Sequence, residues 1–171
     1  NAHLTAQDVG VTSRSVAAFV AYLRGHTRAA LAFSADAMVL SRTLRHPFSR
    51  AYALGCAAWL DHMRGDLDAM ARHAEETVAH SSQQALGFWV VWGMVFAGRA
   101  SAQVGPLSKA TAEIEQAITT LRGIGSGMVV PYFMAMLAEL QAQSGHPEQG
   151  LTTLADARTL ITRDGEEMAA A

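Results

Sequence analysis

Cysteine occurs once in this chain of 171 residues, at Cys56, so no internal disulfide can form and zinc sites built on several cysteines are excluded. Lysine also occurs once, at Lys109, and the twelve arginines are scattered along the chain. The formal net charge is −2, which argues against the clustered basic face that nucleic-acid binding requires. Prolines number four: Pro47, Pro106, Pro131 and Pro147. Each falls where a helix would begin, the position at which a missing N–H costs nothing. β-branched residues are few and no stretch alternates with period two, so strands are not expected. The longest apolar run, Leu86 to Gly98, has 13 residues. A bilayer span needs about 20, so the run reads as a buried core helix and no membrane contact is expected. The first residues lack the basic and apolar segments of a signal peptide, and with a lone cysteine a reducing cytoplasm is the expected compartment. Asn1 and Ala2 have the look of a vector remnant, and the pattern begins in mid-course, as expected of a fragment of a longer protein.

What is present is apolar and helix-forming. Half of the residues are hydrophobic, alanine is abundant, and the length can bury a sizeable core. Gly25, Gly65, Gly105 and Gly145 recur every 40 residues. Small residues accompany them at three offsets. Seven before lie Ala18, Ala58, Gly98 and Ala138; five after lie Ala30, Met70, Ala110 and Gly150; twelve after lie Ala37, Thr77, Ala117 and Ala157. Met70 and Thr77 are the larger members. Small residues at these offsets let the two helices of a hairpin approach closely, and the glycine ends the first helix by taking a positive φ. The expected helix pairs span roughly 12–24 and 27–44, 47–64 and 66–83, 87–104 and 106–122, 129–144 and 147–163. Apolar residues recur at helical spacing, as in Ile114, Ala117, Ile118 and Leu121. A lone hairpin cannot bury its apolar face, so neighbours must stack. Four units are therefore expected, at roughly 12–44, 47–83, 87–122 and 129–163, in one all-α repeat domain.

The offsets resemble the tetratricopeptide pattern, lengthened from its usual ~34 residues to forty. A narrower resemblance rests on Gln7-Asp8 with Val11, on His46-Pro47-Phe48-Ser49 with Ala51-Tyr52-Ala53-Leu54, and on Phe88-Trp89 with Trp92-Gly93 and Gly98. Pro131-Tyr132-Phe133 and Gly145-His146-Pro147-Glu148-Gln149-Gly150-Leu151 complete it. Together these resemble the C-terminal tetratricopeptide-like region of large bacterial signalling proteins, over about residues 4–160. Such proteins carry a class III adenylate or guanylate cyclase domain, or a transcription-regulator domain, with an ATPase module. The resemblance implies a right-handed α-solenoid that binds a protein or peptide, or the parent's own ATPase or cyclase module. No phosphate-binding motif precedes Lys109, so no cyclase or ATPase activity is carried onto this chain, and neither catalysis nor a cofactor is expected.

In the tetratricopeptide register the first helix of each hairpin lines the concave face. The candidate groove residues are then Tyr52, Trp59, Trp92, Phe96, Arg99, Tyr132, Met136 and Glu139. Tyr52, Trp92 and Tyr132 are spaced by 40 and would form a row, with Tyr22 extending its rim. Aromatics with polar handles and an arginine commonly anchor partners, although the same stripe also arises from rings packed between first helices. His73 and His80 share a helix face near Glu76, but the spacing is not H-E-x-x-H; solvated histidines are the simpler account and no metal site is expected. Cys56 and His62 lie six apart on one helix, roughly 9 Å along its axis, too far for a nucleophile–base bond. The glycine-rich run 123–127 follows a helix rather than a strand and reads as a connection, not a phosphate loop. Glu75-Glu76 and Glu166-Glu167 read as solvated faces. The competing expectation is a small-molecule effector pocket that switches a linked domain.

Overall fold

A computed structural model of the protein describes residues 8–170. Gln7, Asn1 and Ala2 therefore lie outside the described residues, as do the side chains of Glu166 and Glu167. Among the described residues there is no strand, and eight α-helices follow one another. They are α1 (Val9–Leu23), α2 (Thr27–Leu44), α3 (Pro47–Arg64), α4 (Leu67–Gln83), α5 (Gly87–Ser101), α6 (Leu107–Gly123), α7 (Val130–Gln143) and α8 (Pro147–Ala170), with a single 3₁₀ turn at Gly127–Val129 before α7. No helix among them is long and apolar enough to cross a membrane. The chain forms two compact units, Asn1–Ala97 and Gly98–Ala171, whose boundary falls inside α5.

Helix starts follow local chemistry. The Asp8 carboxylate accepts from the Val11 N–H at 3.1 Å, so α1 begins at Val9, three residues before the expected start. Asp66 caps α4 the same way, accepting from Ala69 at 3.0 Å. Pro47 and Pro131 stand in the first turns of α3 and α7, and Pro147 opens α8. Pro106 sits one place earlier, as the cap of α6.

The helix ends repeat more often than the glycines alone imply. Gly25, Gly65 and Gly145 all take positive φ, as expected of the turns inside hairpins. Arg45, Ala85 and Gly125 do so as well, each lying twenty residues beyond a hairpin glycine, so most turns share one left-handed geometry. At Gly25, Gly65, Ala85, Gly125 and Gly145 two backbone bonds close the helix. One runs from the left-handed residue to the carbonyl three back, and one from the next residue to the carbonyl five back, as in Gly65 N–H to His62 and Asp66 N–H to Asp61. Gly105 departs from this. It shows no positive φ, and α5 stops at Ser101 rather than near 104. The cause is the next residue: the second closing bond needs an N–H at 106, and Pro106 has none.

In the first unit α1 pairs with α2 and α3 with α4, while α3 packs against both α1 and α2. The first part of α5 lies on α4 so closely that a Cβ at Gly93 would stand 2.8 Å from Val78 and 3.0 Å from the Ala74 carbonyl. In the second unit α7 packs against α6 and α8. All twelve positions of the three repeat offsets are buried. The tightest approach is Gly150, where a Cβ would meet the Ala138 carbonyl oxygen at 2.7 Å. Leu54, Leu60, Leu121 and Leu140 are also fully buried, each contributing about 1.5–3 kcal/mol through removal from water.

Candidate functional site

The first unit carries an aromatic cluster contributed by α1, α3 and α5. Trp89 stands at its centre, with ring centroids 5.5 Å from Tyr52, 5.0 Å from Phe88, 6.0 Å from Phe48 and 5.4 Å from Trp92. Trp59 lies 4.9 Å from Phe19 and 5.5 Å from Trp92. These centroid separations fall in the range of favourable tilted and edge-to-face pairs. Space for the two α5 indoles exists because α3 carries Gly55 beneath them, where a Cβ would stand 2.7 Å from the Trp89 ring. The Gly55 carbonyl in turn accepts from the Trp92 indole N–H at 3.1 Å.

The eight expected groove residues divide by burial. Trp92, Phe96 and Met136 are buried and present almost no surface to a partner. Tyr52, Trp59 and Tyr132 are half-buried, and Trp59 and Tyr52 form the open side of the first unit's cluster together with Phe19 and Phe88. Arg99 and Glu139, expected to orient a ligand, pair with each other at 3.2 Å in the second unit. Tyr132 lies 6.1 Å from Phe133 there. A residue outside the expected groove set does much of the work: Trp89 organises the cluster, and its indole N–H is buried with no acceptor among the described residues.

Cys56 and His62 are not brought together. The Cys56 thiol is buried against Tyr52 and Ser15, and burial pushes its pKa up to about 12 despite hydrogen bonds from both neighbours. Burial, and then the neighbouring Cys56, push the Tyr52 phenol up as well. His62 instead lies beside Phe96, the rings tilted by 60° with centroids 6.0 Å apart. His73 and His80 are both engaged across the α3–α4 hairpin. His80 Nε2 lies 2.9 Å from the Pro47 carbonyl, and His73 Nδ1 lies 2.6 Å from buried Asp61. Arg64 bonds the other Asp61 oxygen at 2.8 Å and reaches Asp66 at 3.2 Å. Glu76, on α4 between the two histidines, holds Arg50 at 3.1 Å. Among the described residues no three His, Cys, Asp or Glu side chains are grouped to hold a metal ion.

A second feature of the first unit is a cationic cleft of about 340 Å³ at the α2–α3 junction, lined in part by Arg42, Arg45, Arg50, His46 and His80. Burial and the nearby Arg42 both lower the Arg50 pKa, with Glu76 opposing them. Compared with family models, curated proteins and solved structures, the chain matches none.

Proposed function

We propose that this chain is a tetratricopeptide-like helical-repeat domain that holds a protein or peptide segment and so regulates a bacterial signalling protein in the cytoplasm, without being an enzyme itself. The observation that carries the binding role is the half-buried aromatic side of the first unit, where Tyr52, Trp59, Phe19 and Phe88 offer ring faces on rigid helices. Aromatic anchors backed by a packed core are the usual centres of binding energy. The signalling context, with the parent's ATPase or cyclase module as a natural partner, rests on the resemblance of the 46–54, 88–98, 131–133 and 145–151 segments. Right-handed winding of the hairpins belongs to the same proposal, and a crystal structure of the chain tests it.

Trp92→Ala would test folding rather than binding, because that ring is buried. The informative variant is Trp59→Ala with Tyr52→Ala, measured against peptides selected on the wild-type chain. Loss of two anchors should weaken binding at least tenfold, equivalent to about 1.4 kcal/mol, with the helical circular dichroism unchanged. Undiminished affinity would remove this face from the proposal.

The small-molecule reading is favoured by the arginine- and histidine-lined cleft, which suits an anionic effector. Thermal-shift measurements with phosphate- and carboxylate-bearing metabolites distinguish the two readings, since a ligand at 100 times its Kd adds about 2.7 kcal/mol.

A further inference from the structure

The cleft at the α2–α3 junction of the first unit holds more positive charge than its packing accounts for. Three arginines line it, Arg42 and Arg45 at the end of α2 and Arg50 in α3, and none of the lining residues is acidic. Glu76 pairs with Arg50 at 3.1 Å, whereas among the described residues neither Arg42 nor Arg45 has an ion-pair partner. Three guanidiniums against one carboxylate leave two positive charges uncompensated. Burial and then the nearby Arg42 lower the Arg50 pKa, as expected where two guanidiniums crowd one space.

The forty-residue repeat supplies a comparison, because the same junction occurs three times. Positions 42, 45, 46 and 50 correspond to Ser82, Ala85, Leu86 and Val90 at the second junction, and to Arg122, Gly125, Ser126 and Val130 at the third. The arginines at 45 and 50 and the histidine at 46 thus recur at neither, yet the left-handed turn is kept at all three. Arg45 holds φ 49°, a conformation that glycine takes without strain, as Gly125 does. The turn therefore does not account for an arginine there. The histidines shape the wall. His80 Nε2 donates to the Pro47 carbonyl at 2.9 Å, tying α4 to the start of α3. His46 Nδ1 accepts from the Ser49 N–H at 3.2 Å, so the proton of its neutral ring sits on Nε2 as a donor.

We propose that this cleft binds a phosphomonoester, the Arg42 and Arg45 guanidiniums donating to its oxygens and Arg50 and His46 supporting them from the wall. The inference rests on the small-molecule reading of the same cleft and does not involve the aromatic side. Charge selects the class: a phosphomonoester is a dianion above a pKa of about 6, which matches the two uncompensated charges. Its oxygens accept from several guanidinium forks at once, whereas a lone carboxylate brings one charge and is satisfied by one fork. At about 340 Å³ the cleft lies at the small end of ligand sites, which run from ~300 to ~1,000 Å³, so it suits a sugar or nucleoside phosphate.

Calorimetric titration of the full chain with inorganic phosphate, adenosine monophosphate and succinate, at about pH 8 where the phosphates are dianions, tests the inference. Both phosphates should bind one per chain, and succinate should bind more weakly. Arg42→Ala and Arg45→Gly should each weaken phosphate binding about tenfold or more, as loss of a charge-assisted contact does. Both residues are exposed, and Arg45→Gly should keep or raise the urea midpoint because it relieves the left-handed turn. Arg122→Ala, in the register of Arg42 at the third junction, should leave phosphate binding unchanged. Phosphatidic acid presents the same group on a membrane. Competition with inorganic phosphate by adenosine monophosphate identifies a soluble source, and competition by phosphatidic-acid vesicles a headgroup. Phosphate affinity undiminished in the Arg42→Ala, Arg45→Gly double variant would overturn the inference. Binding of succinate without phosphate would also overturn it, while leaving the effector reading in place; binding of neither anion would remove both.

Discussion

Single residues decide how each helix ends. Gly65 occupies a left-handed conformation at φ 72°, which an L side chain reaches only at a cost of roughly 1–2 kcal/mol. Gly65→Ala should therefore lower stability by about 1 kcal/mol or more in urea denaturation, although nothing lies within 4 Å of the new methyl group. Ala85 bears the converse strain at φ 54°, and Ala85→Gly should raise stability by up to ~1 kcal/mol. Cys56 makes a pH prediction. Its folded pKa lies above the ordinary thiol value, so the folded chain keeps a proton that the unfolded chain gives up. Its contribution is intact below about pH 9 and is lost as pH rises towards about 12, at up to ~1.4 kcal/mol per pH unit. Tyr52 is shifted in the same direction. Urea midpoints at pH 8 and pH 10 should diverge for the wild type and converge for Cys56→Ala.

At the level of elements, the α3–α4 hairpin is tied by polar contacts that composition alone does not reveal. Asp61 is buried, yet both of its oxygens are engaged, one by Arg64 and one by His73. A buried carboxylate held by two cationic or cation-capable partners is costly to disturb, because the groups left behind lose their compensation. Asp61→Asn keeps the shape but removes the charge, and should cost about 1–3 kcal/mol, read as a lower midpoint in chemical denaturation. The element boundaries themselves were largely legible. Helix starts and hairpin turns follow from Asp, Pro and Gly at fixed offsets, which act through local backbone chemistry. The early end of α5 was also encoded, in Pro106, but only becomes readable once the closing bond at the other turns shows which N–H is needed. Arg45 and Ala85 left no such mark, since neither residue type favours positive φ, and it is the closing backbone bonds, to Arg42 at the first and to Ser82 and Ser81 at the second, that go with the left-handed turn.

Across the whole molecule, position in the repeat sets what a substitution costs. Val20 and Leu60 share one register, but Val20 lies on the exposed side of the first helix and Leu60 is enclosed. Leu60→Ala should cost about 2–5 kcal/mol, and Val20→Ala well under ~1, in matched thermal or urea unfolding. Candidate binding residues follow the same logic. Spacing of forty brings Tyr52, Trp92 and Tyr132 to equivalent positions, but equivalence in register does not make them equally accessible. Trp92 turns inward because Gly55 leaves room for its ring and offers a carbonyl to its N–H.

By itself, then, the amino-acid order determined the helical class, the forty-residue hairpin period and the small buried contact points, since each depends on backbone geometry or side-chain volume within a few turns. Tertiary structure alone decided which aromatics are enclosed, where Asp61, His73 and Arg99 find their partners, and which apolar faces are left uncovered. Those outcomes depend on what a neighbouring helix brings alongside, and no local pattern states that.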